Sequence, residues 1–194
     1  LTRLTWLEGR DVAVLADGHV AVIDERQRSL SIFLLNADTR ELDSAQAVQR
    51  VELGTVGDSN KGFEGLAWDS RNQRLLLANE KNPVRLFSLA CDGRRVSGPL
   101  QALGDLDGYV TDVAGLSVDS RSGQLLALSQ ESHLLLGLDP QLRAQSFLAL
   151  LPGLNGLTRR VPQAEGLALD NAGNLYVVSE RNLFFAFQRE VSAP

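Results

Sequence analysis

A pattern written four times at intervals of about fifty residues limits what this chain can fold into more than any other feature. With Asp11, Gly65, Gly115 and Gly166 set in one column, the steps between them are 54, 50 and 51 residues. The segments that follow read VAVLADGHVAVIDER, LAWDSRNQRLLLANEK, LSVDSRSGQLLALSQE and LALDNAGNLYVVSER. The first and last align without a gap, and the middle two carry one extra turn residue. Each segment is a pair of apolar runs around a small polar turn, the mark of a β-hairpin. A third apolar run follows in every unit, at Leu30–Leu35, Val84–Leu89, Leu134–Leu138 and Leu183–Phe187. Weaker fourth runs stand at Val48–Leu53 and Ser146–Leu151.

Four-stranded units recurring at this period predict an all-β fold, a β-propeller of four-stranded antiparallel blades with about four units in this chain. The blades are expected at 10–60, 61–110, 111–160 and, incomplete, 161–194, with 1–9 as the outer strand of a preceding or closing blade. A two-sheet sandwich is the rival, and it offers no reason for the recurrence. Runs such as Leu75–Ala78 and Leu125–Leu128 lack alternation, as strands do when stacked sheets cover both of their faces. Helix signals are nearly absent. The stretch Asp38–Arg50 has room for a short helical turn but reads better as a loop.

Composition narrows the function classes. A net charge of −5 with no Lys/Arg run argues against nucleic acid and against an anionic membrane surface as partners. Cys91 is alone, so neither an internal disulfide nor a Cys-based metal site is available. No apolar run reaches 18 residues, so no helical membrane span is expected. The chain contains no Met, and the expectation is a processed or trimmed piece of a longer protein.

The carboxylates carry the chemistry. Residues equidistant from a hairpin turn face one another. That places Glu64 with Glu80, Glu165 with Glu180, Arg10 with Glu25, and Ala114 with Gln130, each pair at the open end of its hairpin. The first strand of each propeller blade lines the central channel, so these ends converge on one mouth, with Asp112 just upstream of its own strand. The candidate metal ligands are therefore Glu64, Glu165, Glu80, Glu180, Glu25 and Asp112. So many carboxylates near one axis repel unless a cation or basic groups compensate. Calcium suits them, since it takes six to eight oxygens in irregular geometry. The Gly after each Glu would let backbone come close to a neighbouring blade or an ion. A structural use is the alternative: the carboxylates accept from backbone amides of the next blade, and Arg10, Arg26, Lys81 and Arg181 balance the charge.

Other constellations are weaker. His19 in a turn and His133 in a loop have no Ser or Cys at a suggestive spacing, so a catalytic triad is not expected. No phosphate loop, HExxH or EF-hand pattern occurs. The basic connection GLNGLTRRVPQ, Gly153–Gln163, falls at the same mouth as Glu165 and reads as a solvated loop that could cover the channel.

The stretches NKGFEGLAWD (Asn60–Asp69), ANEKNP (Ala78–Pro83), AVIDERQRSL (Ala21–Leu30) and Val161–Phe187 together resemble the SdiA-regulated (YjiK/CarP) proteins of bacteria, over nearly the whole chain. The resemblance implies an extracytoplasmic, periplasmic or cell-envelope propeller linked to calcium handling. It also implies a tether to the inner membrane through a segment absent from this chain. It further implies a five- or six-bladed parent with at least one unit upstream. A more distant similarity to calcium-dependent phytase propellers marks Glu64 and Glu165 first as calcium ligands, then Glu80 and Glu180. Arg10-Asp11 and Ala114-Gly115 depart from the Glu-Gly pattern, which weakens a full phytase-like cluster. The function expected is binding of calcium or a small ligand at the channel mouth without catalysis. The alternatives are a calcium-dependent phosphohydrolase and a scaffold for a protein partner.

Overall fold

A computed structural model describes residues 11–55 and 62–189. Strands β1 (Val12–Val14), β2 (His19–Asp24), β3 (Ser29–Leu34) and β4 (Gln49–Glu52) form the first sheet. The second holds β5 (Phe63–Asp69), β6 (Arg74–Asn79), β7 (Arg85–Cys91) and β8 (Val96–Asp105). The third holds β9 (Gly115–Val118), β10 (Leu125–Ser129), β11 (Leu134–Leu138) and β12 (Ala144–Ala149). The fourth consists, among the described residues, of β13 (Ala164–Leu169), β14 (Leu175–Ser179) and β15 (Leu183–Phe187). Each sheet is an antiparallel meander in chain order, and together they are four blades of a β-propeller. Residues 1–10, read from the sequence as an outer strand and the start of the first blade, lie outside the described residues.

Local chemistry explains the hairpins. In the first, Asp17 and Gly18 take φ of 51 and 76°, and the His19 amide donates to the Ala16 carbonyl at 2.9 Å. This is the Asp-Gly turn whose twist matches that of the flanking strands. His19 begins β2 rather than lying in the turn, and its ring Nδ1 stands 3.0 Å from the same carbonyl. One fourth strand that shows no run in the sequence is β8. Gly98-Pro99 interrupts it, and its ladder to β7 shifts register between Ser88 and Ala90. Proline is tolerated because β8 is the outer edge of its sheet.

Packing between blades is regular. The innermost strands β1, β5, β9 and β13 lie side by side in that order around a cleft of about 250 Å³. One face of β2–β3 packs on β6–β7, the other face of β6–β7 packs on β10–β11, and β10–β11 packs on β14–β15. Among the described residues, three core layers therefore lie one at each blade–blade interface. Gly65 shows how tight these are: a Cβ there would stand 2.7 Å from Leu116 Cγ of the next blade. The glycine after Glu64 thus serves close blade approach, as the pattern suggested.

The two ends of the array differ. Leu30, Leu86 and Leu135 occupy one repeat position and are 1, 0 and 2 % exposed under the following blade, whereas Phe184 at the same position of the last blade is 65 % exposed. At the other end, Val20, Val22 and Phe33 of the first blade are covered by Leu35, Leu42 and Ala47. Leu35 ends the third apolar run, whereas Leu42 and Ala47 belong to the stretch Asp38–Arg50 read as a loop. It contains a 3-10 turn, Ser44–Gln46, whose N-cap Asp43 accepts from the Ala45 amide at 2.9 Å. The loop is a cap on the first sheet.

Candidate metal centre

The hairpin ends do not pair as symmetric counting predicts. Phe63 faces Asn79 and Gly65 faces Ala78, so Glu64 is the extra residue of a β-bulge. Glu165 is placed alike, between Ala164, which faces Ser179, and Gly166, which faces Val178. Glu64 is therefore not opposite Glu80, nor Glu165 opposite Glu180. Instead the Glu80 amide donates to the Gly62 carbonyl at 3.1 Å, and that of Glu180 to Gln163 at 3.0 Å. A bulge turns its side chain out of the strand's alternation, and here it turns a carboxylate toward the mouth.

Glu25, just past β2, comes to the same place from the neighbouring blade. Its carboxylate accepts from the Gly62 amide at 3.3 Å, and any Cβ on residue 62 would collide with Glu25 Cγ. Glycine at 62 is what lets the two blades close here. As a result Glu25, Glu64 and Glu80 each bring a carboxylate oxygen within 4.8 Å of the other two, with Glu80 buried and the others partly so. Two oxygens on opposite sides of a calcium ion stand about 5 Å apart at most, given Ca–O of about 2.4 Å. An all-oxygen donor set on that scale fits calcium.

The other three candidates lie outside this group. Asp112 is buried and accepts from the Ser129 hydroxyl and, at 3.1 Å each, from the Gln130 and Glu131 amides. Its oxygens tie the corner of the third blade together, a structural use within one blade and not toward the next one as the alternative reading had it. Glu165 is exposed at the mouth of the fourth blade. Its carboxyl is held above the usual range, first by desolvation and then by the charges of Glu180, Asp112 and Glu80. The like charges do share one mouth, spread along it in an arc.

Two carboxylates join this picture that were not among the candidate ligands. Glu131 receives Lys81, whose Nζ stands 2.8 Å from Glu131 Oε1 and 3.1 Å from Glu80 Oε1. Asp11 crosses from β1 to β5, accepting from the Leu66 amide at 2.6 Å. Burial pushes its carboxyl up to about 7 although the Val12 and Leu66 amides pull the other way. The signal for Asp11 was visible, since it stands where the other three units have Gly.

Fold and mouth together define a propeller array with a carboxylate-lined opening. The SdiA-regulated family model matches residues 5–188, and the chain belongs to that family. Among solved structures, the chain is similar to glutaminyl cyclase of Myxococcus xanthus, with TM-score 0.59 and 19 % identity over 88 % of this chain and 60 % of that one. It is similar to a chain of the nidogen/laminin complex, with TM-score 0.58 and 15 % identity over 92 % and 62 %. It is also similar to regucalcin, a calcium-binding protein from Agrobacterium tumefaciens, with TM-score 0.59 and 13 % identity over 91 % and 55 %. The chain thus spans 55 to 62 % of the length of these structures, and at such identities the likeness is one of fold.

Proposed function

We propose that this chain is the propeller portion of an extracytoplasmic protein that binds calcium at the mouth between its first two blades. Glu25, Glu64 and Glu80 supply the ligands, and the site holds the ion without catalysing a reaction. The observation that carries the reading is the approach of three carboxylate oxygens, from two blades and a bulge, to within 4.8 Å of one another. Like charges so close, one of them buried, are more stable with a cation among them. The calcium-binding description of the Agrobacterium neighbour supports the same reading. Periplasmic placement and an inner-membrane tether are part of the proposal through the family resemblance.

Calorimetric titration of the chelator-treated protein with calcium chloride tests it. Saturable binding that is lost in Glu64→Gln is the expected result. A melting temperature indifferent to millimolar calcium, with no bound ion found by elemental analysis, would overturn it.

A further inference from the structure

We propose that Lys81 is the resident counter-ion of the carboxylate group, and that an incoming divalent cation displaces it from Glu80 onto Glu131. The proposal rests on the cation-binding reading above and adds how that site is regulated. Lys81 follows Glu80 directly, and its ammonium sits between two acceptors on different blades, 3.1 Å from Glu80 Oε1 and 2.8 Å from Glu131 Oε1. Of these acceptors, Glu80 is buried and belongs to the three-carboxylate group, while Glu131 stands half-exposed outside it.

That asymmetry is the device. With no metal present, a positive charge on Glu80 Oε1 offsets the repulsion among Glu25, Glu64 and Glu80. The ammonium is held firmly charged, by the Glu131 hydrogen bond first and the Glu80 one second. A dication coordinated by Glu80 and an ammonium on the same carboxylate repel one another, so the metal must compete with Lys81. When Lys81 yields, Glu131 already holds it, and no ammonium is left without an acceptor. A monovalent ion offers Glu80 no more charge than Lys81 does, so the competition favours divalent ions. The same step leaves Lys81 bound only to the third blade, which couples ion binding to the junction between the second and third blades.

Calcium titration by calorimetry of the full chain and its Lys81→Met and Glu131→Gln variants tests the displacement. Lys81→Met removes the competitor and is expected to bind calcium at least about tenfold more tightly. Glu131→Gln weakens the alternative acceptor, keeps Lys81 on Glu80, and is expected to bind more weakly. Unchanged or weaker binding by Lys81→Met overturns the proposal, as does tighter binding by Glu131→Gln. Melting in chelator separates this failure from failure of the underlying reading. There Lys81→Met should lower the melting temperature in the parent background and not in a Glu80→Gln background. Absence of that coupling overturns the counter-ion. A parent that shows the coupling but binds no calcium overturns the cation-binding reading instead.

Discussion

The Arg121 guanidinium donates to the Ala172 carbonyl at 2.9 Å, joining the hairpin tip of the third blade to that of the fourth. One repeat earlier Arg71 does the same, from Nε to the Ser120 carbonyl at 3.0 Å and from Nη2 to the Arg121 carbonyl. A Ser-Arg pair at the same place in two units, Ser70-Arg71 and Ser120-Arg121, thus stitches successive blades at the rim opposite the carboxylates. Asp119 orients the second arginine.

Arg121→Ala should destabilise the protein by about 0.5–1.5 kcal/mol, the net worth of a partly exposed hydrogen-bonded contact. The partner has a pH signature. Burial works to raise the Asp119 carboxyl, but the Arg121 side chain and amide and the Ser122 hydroxyl outweigh it and bring it to about 2. A depressed folded pKa contributes stability present above about pH 4 and lost as pH falls toward about 2. Asp119→Asn should therefore be less stable than the parent at neutral pH and converge with it near pH 2 in acid-unfolding curves.

Asp11 predicts the opposite slope. Its folded pKa is raised, to about 7, so the folded state binds the proton more tightly than the unfolded chain does. Stability from this group is full below about pH 4 and declines as pH rises through about 7. Asp11→Asn keeps an acceptor for the Leu66 amide and cannot ionise. Its melting temperature should match the parent's below about pH 4 and exceed it at pH 8. A variant less stable than the parent at pH 8 would show that the ionised carboxylate holds β1 to β5.

Repeat-equivalent positions predict unequal costs. Leu135→Ala opens a cavity in the layer between the third and fourth blades and should cost about 2–5 kcal/mol. Phe184→Ala removes a larger side chain from the same repeat position and should cost less than about 1.5 kcal/mol, because its ring is 65 % exposed and stacks on Tyr176 of its own blade instead of lying under a following one. Urea unfolding of the two variants checks the contrast.

What the sequence could reveal follows from the repeat. Blades were legible because their period, turns and doubly buried strands all repeat, so weak signals in four units reinforced one another. The outer strand β8 was not, since Gly98-Pro99 breaks its apolar run and its outward residues answer to solvent. The carboxylate pairs were placed at the right ends of their hairpins and in the wrong register. Counting from a turn assumes an unbroken ladder, and the bulges at Glu64 and Glu165 break it. That Glu25 meets Glu64 and Glu80 depends on how two blades stack, which no single hairpin encodes. Gly62, with no room for a Cβ, is the one local trace of it. Asp112 fitted the acidic pattern yet turned out to cap a corner, because composition does not tell a ligand from an acceptor of backbone amides.

The same geometry separates two residues that the sequence treated as equals. Glu64 and Glu165 occupy matching bulges, but only Glu64 belongs to the group whose oxygens lie within 4.8 Å. At a calcium concentration a hundred times the dissociation constant, binding to the folded state alone adds about 2.7 kcal/mol. Glu64→Gln should lose most of that calcium-dependent rise in melting temperature. In chelator it should be as stable as the parent or more so, because one repelling charge is gone. Glu165→Gln should keep the full calcium-dependent rise and gain stability at neutral pH with or without calcium, since its ionised form is disfavoured by desolvation and by Glu180, Asp112 and Glu80. If Glu165→Gln also abolishes the calcium effect, the ion sits farther along the arc than the Glu25–Glu64–Glu80 group, and the assignment of ligands to the first two blades is wrong.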